Sequence, residues 1–524
     1  MLINVLQYLE NTASRLPDKP AFVDETGAYT YKEMMDIGRS IGTRIAKTGK
    51  RNRPVVVYLD KGIRVLSSFM GILYSGNFYS PIDTDMPVER AKIILSVATP
   101  HVIITDSEHA DTVKAMLDEL KDAKAPEGLN VDMSELGKTE ILIYDECVTF
   151  EPDVEVLDHI RKTTIDMDPV YVLFTSGSTG IPKGVVITHQ SVIDYTEWVA
   201  ETFNITEEDS FGNQAPFYFD NSILDIYTGL KTGATVYIIP KVCFSFPAKL
   251  MQYLNDNKIS TIFFVPSALC IVARMRVLGK VELPYLKKVL FCGEVMPNKY
   301  LNIWRKHKPD ALYANLYGPT EITDVCTCYI VDREFADDES LPIGKACDNT
   351  DIVIITDDNK YAKKGELGEL CVRGRSLALG YFRNPAKSDE VFVQNPVNTE
   401  YRDIIYRTGD VVKLNEYDEI IYCGRKDYQI KHMGHRIELG EIETAADSLA
   451  GVETNACIYD DDKQKIVFFY NGKASAEDVK ANFEAKVPEY MVPQVILSIG
   501  AFPYNANGKI DRKELKRKYL AGEM

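Results

Sequence analysis

The sequence predicts an α/β protein: a long layered body, a β-rich subdomain that closes it, and a compact α+β tail beginning near Asp427. Three observations carry this expectation. Short apolar strand patterns alternate with amphipathic helix patterns between residues 54 and 292, the alternation that parallel strands covered by helices produce. After about residue 345 the helical patterns give way to short strands separated by turn-rich loops. Helix and strand patterns then return over residues 427–524. At 524 residues the chain exceeds one ordinary domain, and roughly 150 residues per domain suggests about three core-forming units.

Taken in order, residues 5–50 read as helix, hairpin, helix. The hairpin turns at Glu25, Thr26 and Gly27, and the second helix covers residues 32–47 before Gly49 stops it. Residues 55–59 and 78–82 are strands flanking a helix over 63–74 that ends at Gly76. Strands follow at 102–105 and 141–144, with a charged helix over 110–124 between them. Apolar strands at 170–174 and 185–188 bracket a polar loop, and 235–239, 261–265 and 288–292 continue the body. The β-rich part comprises 352–355, 368–373, 410–414 and 419–424. No internal repeat or low-complexity segment interrupts this order.

Composition narrows the function classes. With 45% hydrophobic and 26% charged residues the chain has ordinary globular composition. Its longest uncharged apolar window, residues 259–273, is shorter than the ~18 residues a membrane span requires. The N-terminus has neither a basic flank nor a small-residue cleavage site, so a cytoplasmic protein without a membrane span is expected. Ten scattered cysteines without a CxxC pair argue against a zinc site and a disulfide framework. A net charge of −17 disfavours nucleic acid, which needs a basic face. The exception is a basic cluster at Lys509, Arg512, Lys513, Lys516, Arg517 and Lys518, readable as the solvated face of an end helix or as a dock for an acidic partner.

Four polar motifs carry the chemistry. The loop Thr175, Ser176, Gly177, Ser178, Thr179, Gly180, with Lys183 behind Pro182, combines permissive glycines, hydroxyls and an ammonium: a grip for polyphosphate. A Ser/Gly surface hairpin would explain the glycines and hydroxyls but not the lysine, and the spacing does not fit a P-loop. In Asn315, Leu316, Tyr317, Gly318, Pro319, Thr320, Glu321, the tyrosine can lie against a purine and Glu321 can hold Mg²⁺ between phosphates; a turn with a helix-starting acid is the alternative. Asp410, after Gly409 at the expected start of a strand, can accept both ribose hydroxyls, with Arg425 nearby; a hairpin turn is the alternative. Asn507 and Gly508 are expected to form a tight turn that presents Lys509; a merely exposed lysine beside a turn is the alternative.

In this order and spacing the four motifs resemble the adenylate-forming superfamily of acyl-CoA synthetases, luciferases and nonribosomal peptide synthetase adenylation domains. The resemblance extends over essentially the whole chain, including residues 74–83 and 365–384. It implies ATP and Mg²⁺ as cofactors, a large N-terminal domain of two α/β layers plus the β-rich subdomain (1–426), and a small mobile C-terminal domain (427–524) hinged at Asp427. It also implies a substrate pocket of Asp220, Asn221, Leu224, Ser267, Cys292, Gly293, Leu316, Asp324 and Val325. In amino-acid-activating members an aspartate at the place of Asp220 pairs with the α-ammonium, and acyl-CoA synthetases generally lack it. The stretch from Cys292 to Asn298 is similar to stand-alone D-alanine:carrier-protein ligases, whereas Asn221 and Asp324 depart from their apolar pattern. A second acid in an apolar pocket needs a donor or a cationic substrate group.

The implied reaction activates an amino acid as aminoacyl-AMP. Lys509 bridges the attacking carboxylate and the α-phosphate, and the loop holds the departing pyrophosphate. The small domain then rotates to present Lys431 and Gly434 while a phosphopantetheine thiol takes the acyl group. No carrier motif is present in the sequence, so an acidic carrier protein in trans is the expected partner. An acyl- or aryl-CoA ligase, disfavoured by Asp220, and an inactive nucleotide-binding regulator, disfavoured by Lys509, Glu321 and Asp410, are the alternatives.

Overall fold

A computed structural model describes residues 2–177, 180–447, 449–504 and 510–524, and the elements below are those of the described residues. Two large sheets form the body. In one, Pro20–Asp24, Thr235–Ile238, Ser210–Asn213, Thr261–Phe264, Lys288–Phe291 and Leu312–Tyr317 run parallel, with antiparallel strands at both edges. In the other, Glu140–Ile143, Val102–Thr105, Pro54–Tyr58, Phe78–Ile82 and Pro169–Thr175 are parallel, and Lys183–Thr188 returns antiparallel against the last. Parallel strands need covering on both faces, and their apolar runs follow from that burial.

One continuous core joins the sheets: Val55, Tyr79 and Tyr171 of one share it with Phe22, Phe211 and Val236 of the other. Helices Tyr31–Ala46 and Ile63–Tyr74 lie between, packed through Gly38, Gly42 and Gly71. A Cβ on Gly42 would lie 2.6 Å from the Tyr74 Cβ, so only glycine admits this approach. Beyond residue 345 the expected β-rich part is a five-stranded antiparallel sheet, and the small domain adds a two-stranded hairpin and a three-stranded sheet with helices.

Several boundaries differ from the sequence reading. Thr175 and Lys183 are the paired ends of adjacent strands, so the loop between them is shorter than expected. Tyr144 opens a short helix, and the charged helix ends at Leu120. Asp410 lies well inside the strand Ile404–Leu414, not at its start. There Arg407 and Val411 pair with Cys371 and Glu369, so the intervening residues form a bulge at Gly409, whose φ is +75°.

Candidate active site

The site lies beyond the carboxyl ends of the parallel strands, where open α/β sheets leave a crevice. Leu312–Tyr317 ends in Tyr317 and runs through the turn at Gly318 into Thr320 and Glu321. Any side chain at Gly318 would collide with the Asp324 backbone, which keeps this turn tight. The Tyr317 hydroxyl donates to Asp410, and Arg425 donates to the other Asp410 oxygen at 2.6 Å. Arg425 also pairs with Asp427 at 2.6 Å. The residues expected for base, ribose and hinge therefore form one connected network. Asn315 instead donates to the Pro342 carbonyl at 2.8 Å.

Glu321 is fully buried. It accepts from the Tyr381 hydroxyl at 2.7 Å on one oxygen and from Arg436 at 2.6 Å on the other. Burial pushes this carboxyl up, but Arg436 and then Lys183 outweigh it and hold it down at about 2. Each Glu321 oxygen accepts one hydrogen bond here, and Arg436 supplies the nearest positive charge to this carboxylate. Among the described residues no group of three or more His, Cys, Asp or Glu is placed to hold a metal ion.

The described residues of the loop after Thr175 meet the same segment of the small domain. Ser176 donates to the Arg436 carbonyl at 2.7 Å, the Gly177 N–H donates to Glu441 at 3.3 Å, and Lys183 lies 3.5 Å from Glu438. Ser178, Thr179 and the Lys509 turn lie outside the described residues. Gly180 approaches Thr444, which a Cβ would meet at 3.1 Å.

Of the expected substrate residues, Asp220, Cys292 and Asp324 lie close enough to act on one another's charge, and Leu224, Leu316 and Val325 share a buried cluster with Cys292. Asp220, 8% exposed, caps the helix Asn221–Thr232 and accepts from the Asn221 N–H at 3.1 Å. Burial pushes its carboxyl up, against a hydrogen bond from Thr320. Asp324, 1% exposed, is held in the left-handed region at φ +72° and accepts from the Tyr195 hydroxyl at 2.6 Å. Its carboxyl is pushed well up by burial and next by Asp220. Cys292, Leu224, Leu316 and Val325 are buried, and Cys292 lies within the fields of Asp324, Lys431 and Asp220. Ser267 stands half-buried at the first turn of Pro266–Arg274, its N–H donating to Glu294 at 2.8 Å.

From the small domain, the hairpin of Gln429–His432 and His435–Glu438 enters the site. Lys431 lies 5.1 Å from the centre of the Tyr317 ring, and Gly434, at φ +81°, packs on Val265 and approaches Gly293. His435 sits edge-on to Phe219 at 4.7 Å. Sequence reasoning passed over Arg436, Glu438, Glu441, Tyr381 and Tyr195. The first three carried a signal: Ile437 and Leu439 alternate with the charges, as in a half-buried strand. Single tyrosines from distant elements carried none.

A family model described as "AMP-binding enzyme" matches residues 9–382. The chain belongs to this family. This AMP-binding enzyme is 30% identical to a D-alanine--D-alanyl carrier protein ligase of Bacillus cytotoxicus, over 99% of this chain and 100% of that one. It is also 30% identical to zwittermicin A synthase ZmaJ of Bacillus cereus, over 98% and 94%. The solved Vibrio cholerae adenylation domain AlmE, in complex with glycyl-adenosine-5'-phosphate, shares its fold with a TM-score of 0.83 at 23% identity, over 99% and 98%. It is thus an adenylate-forming ligase, with a large N-terminal and a small C-terminal domain.

Proposed function

We propose that this AMP-binding enzyme activates an amino acid as aminoacyl-AMP, releasing pyrophosphate, and transfers it to the phosphopantetheine thiol of a separate carrier protein. The observation that carries the reading is the buried Asp220 carboxylate beside Thr320 and Glu321. A buried carboxylate is costly alone and is offset by an α-ammonium, which a fatty acid does not supply. The likeness to carrier protein ligases supports the thiol acceptor and makes D-alanine the leading substrate.

The substrate carboxylate is already ionised at neutral pH and needs no base. What opposes reaction is the approach of two anions. Lys509 is assigned to bridge them, the hydroxyl of Ser176, the Gly177 N–H and Lys183 to hold the leaving pyrophosphate, and Asp410 to orient the ribose. In the second half Lys431 takes the place of Lys509 as the small domain turns about Asp427.

Asp324 favours a second reading of the substrate. Buried with Tyr195 donating to one oxygen and with the Asp220 carboxyl nearby, it suits a side chain that brings a donor or a cation. Pyrophosphate release over a panel of L- and D-amino acids, diamino acids and fatty acids tests all of this. An amino acid should be the best substrate. Preference for a fatty or aryl acid would overturn the reading, and preference for a diamino acid over D-alanine would select the second one.

A further inference from the structure

Thiol transfer has one need that the groups assigned so far leave unmet. Unlike a carboxylate, an alkyl thiol ionises only near pH ~8.5, so at neutral pH it arrives with its proton. Lys431 is a cation without a lone pair to receive that proton, and Asp220 is assigned to the α-ammonium. Two imidazoles stand where the hairpin enters the site: His432 and His435, paired across its closing turn. Each has one buried ring nitrogen without a hydrogen-bond partner among the described residues, Nε2 of His432 and Nδ1 of His435. His432 meets its own domain, with Nδ1 3.1 Å from the Tyr459 hydroxyl. His435 meets the substrate side. Its ring is stacked on Tyr490 at 3.4 Å and edge-on to Phe219, the neighbour of Asp220, so two aromatic faces fix its orientation. Burial, and next His432, push its pKa down to about 3, so the ring is neutral. A hydrogen on Nδ1 would be a buried donor without an acceptor. The hydrogen therefore belongs on Nε2, and Nδ1 keeps a free lone pair.

We propose that His435 is a catalytic residue of the second half-reaction, its Nδ1 receiving the proton of the incoming thiol. Sulfur forms the bond to the acyl carbon, the bond from that carbon to the phosphate oxygen breaks, and AMP leaves with the electron pair. The S–H proton passes to Nδ1, and from the imidazolium to solvent. A base this weak suffices. A free thiol is a much weaker acid than this imidazolium, but its S–H becomes strongly acidic as sulfur shares a lone pair with carbon, so the proton moves once that bond is well formed. The buried imidazolium is costly and sheds its proton, which returns the ring to its neutral form. The assignment rests on the proposed thiol acceptor and holds for any substrate acid.

The test times this one step on the full chain. Aminoacyl-AMP is formed first, from the best amino acid of the pyrophosphate panel, and quantified; its consumption by excess free pantetheine is then followed from about pH 6 to about pH 9. His435→Phe keeps a flat ring between Tyr490 and Phe219 but lacks Nδ1. At neutral pH it should consume the adenylate ~10-fold or more slowly than the natural chain. Its rate should climb about tenfold per pH unit until the thiolate forms unaided near ~8.5, where the two chains converge. The titratable and charged neighbours, His432 across the turn and Arg90 beside Tyr490, are common to both chains. In His435→Ala, added imidazole should restore part of the lost rate at neutral pH. Equal rates at neutral pH, or a loss of the same size at every pH, overturns the proposal alone. Adenylate that the natural chain forms but fails to pass to pantetheine overturns the thiol step and the proposal with it. Absence of adenylate with every amino acid overturns the proposed function as a whole.

Discussion

Asp220 is where function and stability oppose each other at the residue scale. Its folded-state pKa is raised above the usual carboxylate value of 3.8 by burial. Below that value the carboxyl is neutral in folded and unfolded chains alike and costs nothing. As pH rises the unfolded chain ionises first, so folding loses stability until the folded carboxyl ionises too; each tenfold weakening of the folded acid relative to the unfolded one costs about 1.4 kcal/mol. Asp220→Asn should therefore raise the thermal midpoint at neutral pH, with the gain shrinking to nothing as pH falls to about 3.8, while weakening amino-acid binding. A gain that persists in acid would show that packing rather than charge is responsible. Asp220 was legible because its place relative to the other motifs marked it. Tyr195 was not, since nothing in the spacing of a helical tyrosine shows that it reaches Asp324 across the pocket.

At the scale of elements, the hairpin formed by Gln429–His432 and His435–Glu438 depends on Gly434. Its backbone is left-handed, and a Cβ there would strike the Val265 side chain. Gly434→Ala should slow thiol transfer from preformed adenylate by at least about tenfold, the equivalent of ~1.4 kcal/mol, and leave pyrophosphate release largely intact. Equal loss in both half-reactions, measured separately, would show that the hairpin serves both. Parallel strands such as Val102–Thr105 and Phe78–Ile82 were read to the residue because burial on both faces makes them uniformly apolar. Asp410 was misplaced because a bulge glycine and a turn glycine look alike in sequence; only pairing with Glu369 and Cys371 separates them.

For the whole molecule, the order of body, β-rich part and tail was legible, since each has its own periodicity. How the tail seats against the body was not. Arg90 and Glu441 are 351 residues apart in sequence and meet in a buried pair that no local pattern announces. The same holds for Arg436 on Glu321. Such contacts are set by complementary charge across a surface, and a sequence displays the charges without their partners.

The C-terminal helix Arg512–Leu520 is less basic in effect than in composition. Arg512 is paired with Glu443, Lys516 with Asp461, Arg517 with Glu514 and Glu523, and Lys518 lies 4.0 Å from Glu514. Such a helix exerts little pull at a distance, and the chain as a whole carries −17. An acidic carrier would approach against this field. Added salt shortens the reach of that repulsion to ~8 Å at physiological ionic strength. The kcat/KM for the carrier should consequently rise with moderate NaCl, the reverse of the usual behaviour of oppositely charged partners; a steep fall would reveal an unneutralised basic landing site. Diffusional encounter, not the chemistry of the thiol, would then carry the imprint of these ion pairs.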